Sequence, residues 1–446
     1  MGGDSEMKIG VVGAGIAGLR AAMLLEQKGH EVTIFEARDR VGGRMLTVDR
    51  GEGWYEAGGE WIDADHHRVL RLCREFGVAP EKSSQWPGLV VYQGEFATEN
   101  QVWPEAEADA ALVHEGAVQL IEQWRKDGDP SRLLNRDLLD LDSMDMPLGK
   151  WLDRVCSGVQ GRWWAEAVTR SDEGEDTAQV GLLGWLRGYA HYLERSEGEM
   201  SLYRIGGGGG RLCERMAERL RDIRLGRAVR LIDPDEGEIE FVDGERLVFD
   251  RVVGAVPGPI LDRLIDPVGK AQEEGREAEV GEIREWSIGG SGTRMARAVK
   301  VVLEFDRPWW REKNWTGRML CDLPCQQTWE IGRGNLHALG CYVCGEEGVW
   351  LSGRQDGVDV ALRALSEIHP EAMRYFVAGA VHDWIRDEFS CGAFPFFGEG
   401  HAPAEIDRVV GTEPIGRLHV AGDWACSWMG FIEGALESAE RVAGEI

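Results

Sequence analysis

Ile9-Gly10-Val11-Val12-Gly13-Ala14-Gly15-Ile16-Ala17-Gly18, followed by a helical pattern and then by Val32-Thr33-Ile34-Phe35-Glu36, is the stretch that decides the fold. An apolar run leads into three glycines spaced GxGxxG, and a second apolar run ends in an acid eighteen residues beyond Gly18. This order predicts a strand, a tight turn, a helix and a second, parallel strand. Each part has a task toward a dinucleotide. The glycines let the backbone approach a pyrophosphate, the helix N-terminus presents N–H groups to its negative charge, and the acid can bond a pair of ribose hydroxyls. A lone glycine triplet would say little; strand, helix and acid in register specify a βαβ phosphate-binding unit.

The chain has 446 residues, more than one comfortable core, so two domains are expected, and 43% hydrophobic residues suffice to build them. Its 78 acidic against 50 basic residues give a formal charge of −28. Such a charge repels nucleic acid and anionic membranes and attracts small cations at long range. Acidic runs such as Glu273-Glu274 and Glu277 to Glu285 read equally well as solvated faces. The polar start, Met1 to Glu6, leads into the first strand, and no apolar run approaches the ~20 residues that span a bilayer, so a cytoplasmic protein without a membrane anchor is expected. Nine scattered cysteines suit reduced thiols. Cys321-x3-Cys325 and Cys341-x2-Cys344 approximate a four-thiolate zinc spacing, but Cys341-Tyr342-Val343-Cys344 reads as a strand whose residues three apart point to opposite faces, which favours small buried thiols. His66-His67 lack further ligands in the sequence and read as surface residues.

Beyond Glu36, the loop Ala37-Arg38-Asp39-Arg40-Val41-Gly42-Gly43-Arg44 combines paired glycines with three arginines able to neutralise phosphate. Tyr55-Glu56-Ala57-Gly58-Gly59-Glu60-Trp61-Ile62 forms another Gly-Gly turn, followed by a helix Val69 to Phe76 that stops at Gly77. From about 85 to 203 the texture becomes amphipathic, Trp-rich and helical, as in Ala111 to Trp124 and Leu182 to Leu193. The glycines Gly206 to Gly210 read as a tight crossover opening a helix Arg211 to Leu220. Strands around Ala228 to Leu231 and Val252 to Pro257 read as a return to the nucleotide-binding sheet. A β-rich region starts at Ala298 to Phe305, a helix falls near 357 to 368, and a strand Leu418 to Asp423 precedes a helical segment Phe431 to Ala443. The expected class is α/β, with two interleaved domains. Segments 7–84, 204–289 and 387–446 form a discontinuous Rossmann-like domain, and 85–203 with 290–386 form an α+β substrate-binding domain.

Six elements occur in one order from end to end: Gly13-x-Gly15-x-x-Gly18; Glu36-Ala37-Arg38; Arg40-Val41-Gly42-Gly43-Arg44; Gly58-Gly59-Glu60-Trp61; Lys300-Val301-Val302-Leu303-Glu304-Phe305-Asp306-Arg307-Pro308-Trp309-Trp310; and Ala421-Gly422-Asp423 with Gly430-Phe431-Ile432-Glu433-Gly434-Ala435. In this the chain resembles the FAD-dependent amine oxidases, the monoamine/polyamine oxidase and L-amino-acid oxidase group. The resemblance implies a GR2-type FAD-binding domain, with Gly13, Gly15, Ile16, Ala17 and Gly18 around the pyrophosphate and Glu36 on the adenosine ribose. It places Ala37, Arg38, Gly43 and Arg44 along the phosphates, Gly58 and Gly59 beside the cofactor, and a backbone contact from Val229 to adenine. Gly422 and Asp423 would meet the ribityl or phosphate side, and the Ile432 N–H, at a helix N-terminus, the flavin pyrimidine oxygen, where reduced flavin carries negative charge.

For the chemistry, the same resemblance makes Lys300 the catalytic residue, holding a water beside flavin N5. Phe394 and Phe431 match the two aromatics that flank the amine, where the family often has tyrosine. Trp384 would pack on the flavin edge, Trp61 and Trp428 would line the same wall, and Glu60 could meet an ammonium. Some relatives bind FAD covalently through a cysteine in the stretch that corresponds to Ser390-Cys391-Gly392-Ala393-Phe394; here Ala393 stands at that place, with Cys391 two residues earlier, so noncovalent FAD is expected. The reaction implied is oxidation of a primary or secondary amine: hydride moves from the carbon next to nitrogen to N5, the imine hydrolyses, and O2 reoxidises the flavin to give H2O2. An L-amino-acid oxidase is the alternative. Such enzymes need a cation for the substrate carboxylate, and Gln326 stands where arginine is often found, which favours an amine. A flavin-dependent desaturase, isomerase or redox-silent partner-binding protein is the further alternative, and Lys300 speaks against it. A homodimer is left open.

Overall fold

The computed structural model describes residues 6–83, 87–124, 144–195, 200–265, 293–400 and 413–446. Its nucleotide-binding part is a five-stranded, wholly parallel sheet in the order Leu418–Val420, Arg251–Gly254, Lys8–Val12, Glu31–Phe35, Ile223–Arg224. Parallel strands are covered on both faces and therefore read as near-continuous apolar runs. Ile9, Val11, Val252 and Val253 are accordingly fully buried. One face is covered by the helices Ile16–Gln27 and Ile432–Glu445, which share a core built largely from small residues: Ala17, Ala21 and Ala22 on the first, Ala435, Ala439 and Val442 on the second. The other face is covered by Leu261, Leu264, Trp424 and an antiparallel ribbon. The chain leaves Lys8–Val12 to one side for its second strand and later returns to the other side, so the crevice beyond that strand's C-terminal end is the place where open α/β sheets bind ligands.

A second sheet of seven strands runs Phe376–Asp383, Ala298–Phe305, His337–Cys344, Gln327–Glu330, Met319–Cys321, Leu89–Tyr92, Glu95–Thr98. Ala298–Phe305 is paired antiparallel on both sides and is buried along its whole length. Lys300 is thus on an interior strand and not at a sheet edge, where a charge could turn to solvent. The helices Pro104–Trp124, Leu148–Val155, Val159–Glu173 and Leu182–Leu193 form an adjoining apolar cluster that includes Leu152, Leu186 and Phe396. Among the described residues, no helix is long and apolar enough to cross a membrane.

Several sequence expectations shift. Val229–Asp233 does not rejoin the nucleotide-binding sheet but pairs with Glu238–Phe241, which pairs with Arg246–Val248, as a separate ribbon. Its alternating charges explain this, since Arg230 and Arg246 both pair with Glu240 across strands, a pattern suited to a one-sided antiparallel surface. The Trp-rich region contributes two strands of its own, Leu89–Tyr92 and Glu95–Thr98. The helix after the glycine run is Gly209–Ala217, beginning two glycines earlier than the pattern indicated. The domain limits expected at 84/85 and 289/290, and the acidic residues 273–285, lie outside the described residues.

The glycine turn is sterically specified. Gly13 has φ of 103°, and a Cβ on Gly18 would lie 2.0 Å from the Gly13 carbonyl oxygen, so the helix can meet the turn only without a side chain there. Gly18→Ala is expected to destabilise the fold by about 1–3 kcal/mol and to lower the retention on purification of the FAD that the resemblance implies. Thermal melting and the ratio of visible to 280 nm absorbance would measure the two effects.

Candidate active site

A cavity of about 410 Å³ extends from the turn after the first strand into the seven-stranded sheet. At one end its wall contains Gly13, Gly15, Ile16, Ala17, Glu36, Ala37, Arg38, Gly43 and Arg44, joined by Val229 from the ribbon and by Gly422, Asp423, Phe431 and Ile432 from the last segment. At the other end stand Gly58, Gly59, Glu60, Trp61, Lys300, Trp384 and Phe394. Two expected residues are not in the wall. Gly18 lies behind the turn, where it admits the Gly13 carbonyl, and Trp428 stands behind Phe431, its ring 6.0 Å away, packed on His66 and His191.

The cofactor end is electropositive through backbone rather than side chains. Gly15 precedes Ile16–Gln27, and Phe431 precedes Ile432–Glu445, and neither helix start is capped by a side chain. Two helix N-termini therefore open on one cavity, each with unsatisfied N–H groups and a partial positive charge. A Cβ added at Gly15 or Gly59 would meet nothing within 4 Å, so both glycines leave room against the lumen for a flat, extended group. The Glu36 carboxylate accepts from Ala14 N–H (2.8 Å) and Arg38 N–H (3.0 Å), which fixes it at the cavity wall. These features fit a dinucleotide.

The arginines depart from expectation. Arg44 makes two bonds to the Asp423 carboxylate (2.9 and 2.6 Å) and one to Ala393 O (3.0 Å). Arg38 pairs with Asp387 and donates to Ser390 Oγ (3.0 Å). Both guanidinium groups are thus balanced inside the wall, and any phosphate contact they make is additional to those pairs. Ala393 lines the cavity, whereas the Cys391 thiol lies against Arg263 and Glu388 O, and the described lining contains no cysteine.

At the end lined by the seven-stranded sheet, Lys300 Nζ donates to Glu56 O (3.2 Å), Gly58 O (2.9 Å) and Glu60 Oε1 (3.1 Å), and lies 5.3 Å from the Trp329 ring centroid. Glu60 also accepts from Trp329 Nε1 (2.8 Å) and forms an ion pair with Arg204 (3.1 Å), whose guanidinium stacks on Trp61. Its carboxylate is therefore fully engaged by the wall. This corrects the expectation that Glu60 meets a substrate ammonium: it balances and orients Lys300 instead. Trp384 Nε1 donates to Ala57 O (3.0 Å), holding that ring against the Gly58-Gly59 turn. Glu56, one turn before Glu60, is pushed up to about 7 by burial, with Glu60 adding to the effect against a bond from Gly209 N–H.

Sequence reasoning placed His66 on the surface, but it is fully buried. It lies among Asp63, Asp65 and Arg195, donates no charge, and is pushed down to about 4 by burial despite Asp63. Those three acid and imidazole groups are the only cluster of possible metal ligands among the described residues, and Arg195 already occupies both carboxylates. No three of Cys321, Cys325, Cys341 and Cys344 bring their sulfurs into such a cluster. Cys321 and Cys325 face each other at 3.5 Å, while Cys344 points to Gln326 and Arg170. Residues that no motif marked also line the cavity: Asp172, Arg318, Gln327 and Tyr342. The one signal available for Asp172 was an acid in the last turn of a helix, where the macrodipole favours cations.

Comparison with known proteins agrees with this geometry. A family model for flavin-containing amine oxidoreductases matches residues 16–446. The chain is similar to a flavin-containing amine oxidase of Danio rerio (26% identity over 98% of this chain and 85% of that protein) and to amine oxidase B of Sus scrofa (25%, over 99% and 86%). Among solved structures it superposes on putrescine oxidase bound to putrescine and on cyclohexylamine oxidase from Brevibacterium oxydans. Each gives a TM-score of 0.79 at 21% identity, covering 99% of both chains.

Two outcomes follow from the wall itself. Glu60→Ala leaves Lys300 and Arg204 buried without their anion and is expected to destabilise the protein by about 3–5 kcal/mol in urea titration, with Glu60→Gln clearly milder. Glu56, protonated in the folded state up to about pH 7, contributes stability that is complete below the ordinary carboxyl value of 4.5 and is lost as pH rises through 7. Glu56→Gln should flatten that part of the stability–pH curve, measured by denaturation at several pH values across this window.

Proposed function

Because the chain belongs to the family of flavin-containing amine oxidoreductases, and so binds FAD and oxidises amines, we propose that Lys300, Phe394 and Phe431 form its reaction chamber. The two uncapped helix N-termini and Glu36 would form its cofactor arm. Bound FAD supplies the redox chemistry, taking a hydride from the carbon next to nitrogen of a primary or secondary amine and passing the electrons to O2 as H2O2. The protein's residues contribute position, charge and dryness. The Gly13–Gly18 turn and Ile432 meet negative charge with backbone N–H groups. Phe394 and Phe431 offer apolar faces that hold a neutral amine without competing for its nitrogen lone pair. Lys300 spends its three donors on two carbonyls and Glu60 at the cavity wall, so holding the water that the imine needs for hydrolysis would require it to release one of them. Trp61, Trp329 and Trp384 exclude bulk water from that face.

The observation that carries this reading is Lys300: an amine on an interior strand of an apolar sheet, opening into the same cavity as the glycine turn. Among the described residues, neither position considered for a substrate carboxylate offers the amino-acid alternative an unengaged cation. Gln326 is buried, bonding to the backbone of Cys344 and to Glu347, and Arg318, which does line the cavity, is held by both oxygens of Glu99 (3.0 and 2.8 Å). The absence of a cysteine from the described lining supports noncovalent FAD.

Purified protein is expected to be yellow, to release its flavin into the supernatant on acid precipitation, and to form peroxide with amines. Lys300→Met should keep the flavin while lowering kcat by roughly 10²–10³. Stopped-flow measurement of flavin reduction and reoxidation would locate the step affected. A native holoprotein that forms peroxide with no amine would overturn the assignment of the reaction chamber.

A further inference from the structure

Phe431 stands at the cavity wall without regular structure to hold it. It precedes the helix Ile432–Glu445 with extended backbone (φ −103°, ψ 153°) and follows Gly430, whose φ of 81° makes a turn that glycine adopts readily. The plane of its ring is therefore set by side chains. Among the described residues two aromatic groups meet it: His66, with ring centroids 5.2 Å apart at 70°, and Trp428, at 6.0 Å and 89°. His66 and Trp428 meet each other at 5.0 Å and 88°, which closes a triangle of edge-to-face pairs. Phe431 is the corner of that triangle that lines the cavity.

The other two corners are anchored from distant segments. His66 is fully buried, and its Nδ1 accepts from Asp63 N–H (3.1 Å), so the ring proton is on Nε2. Asp63 is itself fixed by Arg195 (2.8 Å) and by Ser201 N–H (2.6 Å). Trp428 is braced by the His191 ring at 4.1 Å and by the Arg195 guanidinium, 5.2 Å from its centroid. His66 Nε2, 3.5 Å from Asp63 Oδ2, makes no hydrogen bond. A buried N–H without a bonded acceptor costs stability that an apolar side chain of similar size would not, so packing alone does not explain an imidazole there. Nor does titration, since burial pushes His66 down to about 4 and keeps the ring neutral around neutral pH. What the imidazole does provide is geometric: a flat ring, hooked to the backbone by one nitrogen, presents its plane in one fixed orientation.

We propose that His66 is a positioning residue for the oxidation: with Trp428 it fixes the plane of the Phe431 ring, and so the apolar face against which the amine lies. This rests on the reading of Phe431 as a wall of the reaction chamber, and it deepens that reading by tracing the wall's placement to a turn near the start of the chain. His66 is not itself part of the cavity lining and acts through Phe431.

The test is a double-mutant cycle on flavin reduction in anaerobic stopped flow, with FAD holoprotein of the native sequence, His66→Asn, Phe431→Ala and the double variant, and with the amine that reduces native flavin fastest. Asparagine keeps an acceptor for Asp63 N–H and removes the ring. His66→Asn should retain flavin and lower the limiting reduction rate by roughly ten- to hundredfold. In the Phe431→Ala background the same change should alter that rate by less than about twofold. His66→Phe, which restores a ring, should bring the rate back toward the native value. A native rate in His66→Asn, the same factor lost with and without Phe431, or a loss in His66→Phe as large as that in Phe431→Ala overturns the proposal. His66→Phe also carries the test should His66→Asn not retain flavin. Failure of the oxidase reading looks different, because no amine then reduces even the native flavin. Crystal structures of the native protein and His66→Asn decide the proposal in that event, and a Phe431 ring in the same plane in both overturns it.

Discussion

The packing of Ile16–Gln27 against Ile432–Glu445 is the constraint on which the site depends. The small residues Ala17, Ala21, Ala22, Ala435 and Ala439 in their shared core let two helix axes approach closely, so their starts arrive at the same crevice beyond the central strand. Neither start is capped by its own side chain, and in isolation each would leave buried N–H groups unpaired. Together they make one end of the cavity receptive to negative charge with no free basic side chain. The arginines nearby then serve another purpose, tying the loops of the wall together through Asp387 and Asp423.

The opposite end follows a different electrostatic logic. Lys300 and Arg204 are buried cations, and each is tolerable only because Glu60 lies between them and accepts from both sides. The carbonyls of Glu56 and Gly58 complete the Lys300 shell, so the Gly58-Gly59 turn positions the amine as firmly as the strand that bears it.

What the sequence made legible, and what it hid, divide along physical lines. The glycine turn, Glu36 and Lys300 were readable because each rests on local geometry: a positive φ, a strand end, a lysine in an apolar run. The Ile432 N–H came from the family resemblance, and local periodicity supplied only the helix that it begins. Three features were not readable. Val229 was assigned to the wrong sheet because a strand's partner is a tertiary fact, decided here by cross-strand charges. Glu60 was given to the substrate because nothing local shows that Lys300 and Arg204 converge on it from 240 and 144 residues away. His66 was given to solvent because its burial under Phe431 and Trp428 depends on a segment more than 360 residues downstream.

The pair between Arg44 and Asp423 closes a ring of 379 residues around nearly the whole chain. Contacts of such sequence separation form late, after the loop entropy has been overcome by other structure. The first sixty residues can build their turn and strands during synthesis, yet the crevice they border is only half a binding site until Leu418–Val420 and Ile432–Glu445 dock. In the proposed site, cofactor uptake is thereby coupled to completion of the fold, since half of the crevice's wall is contributed by the last segment to be made.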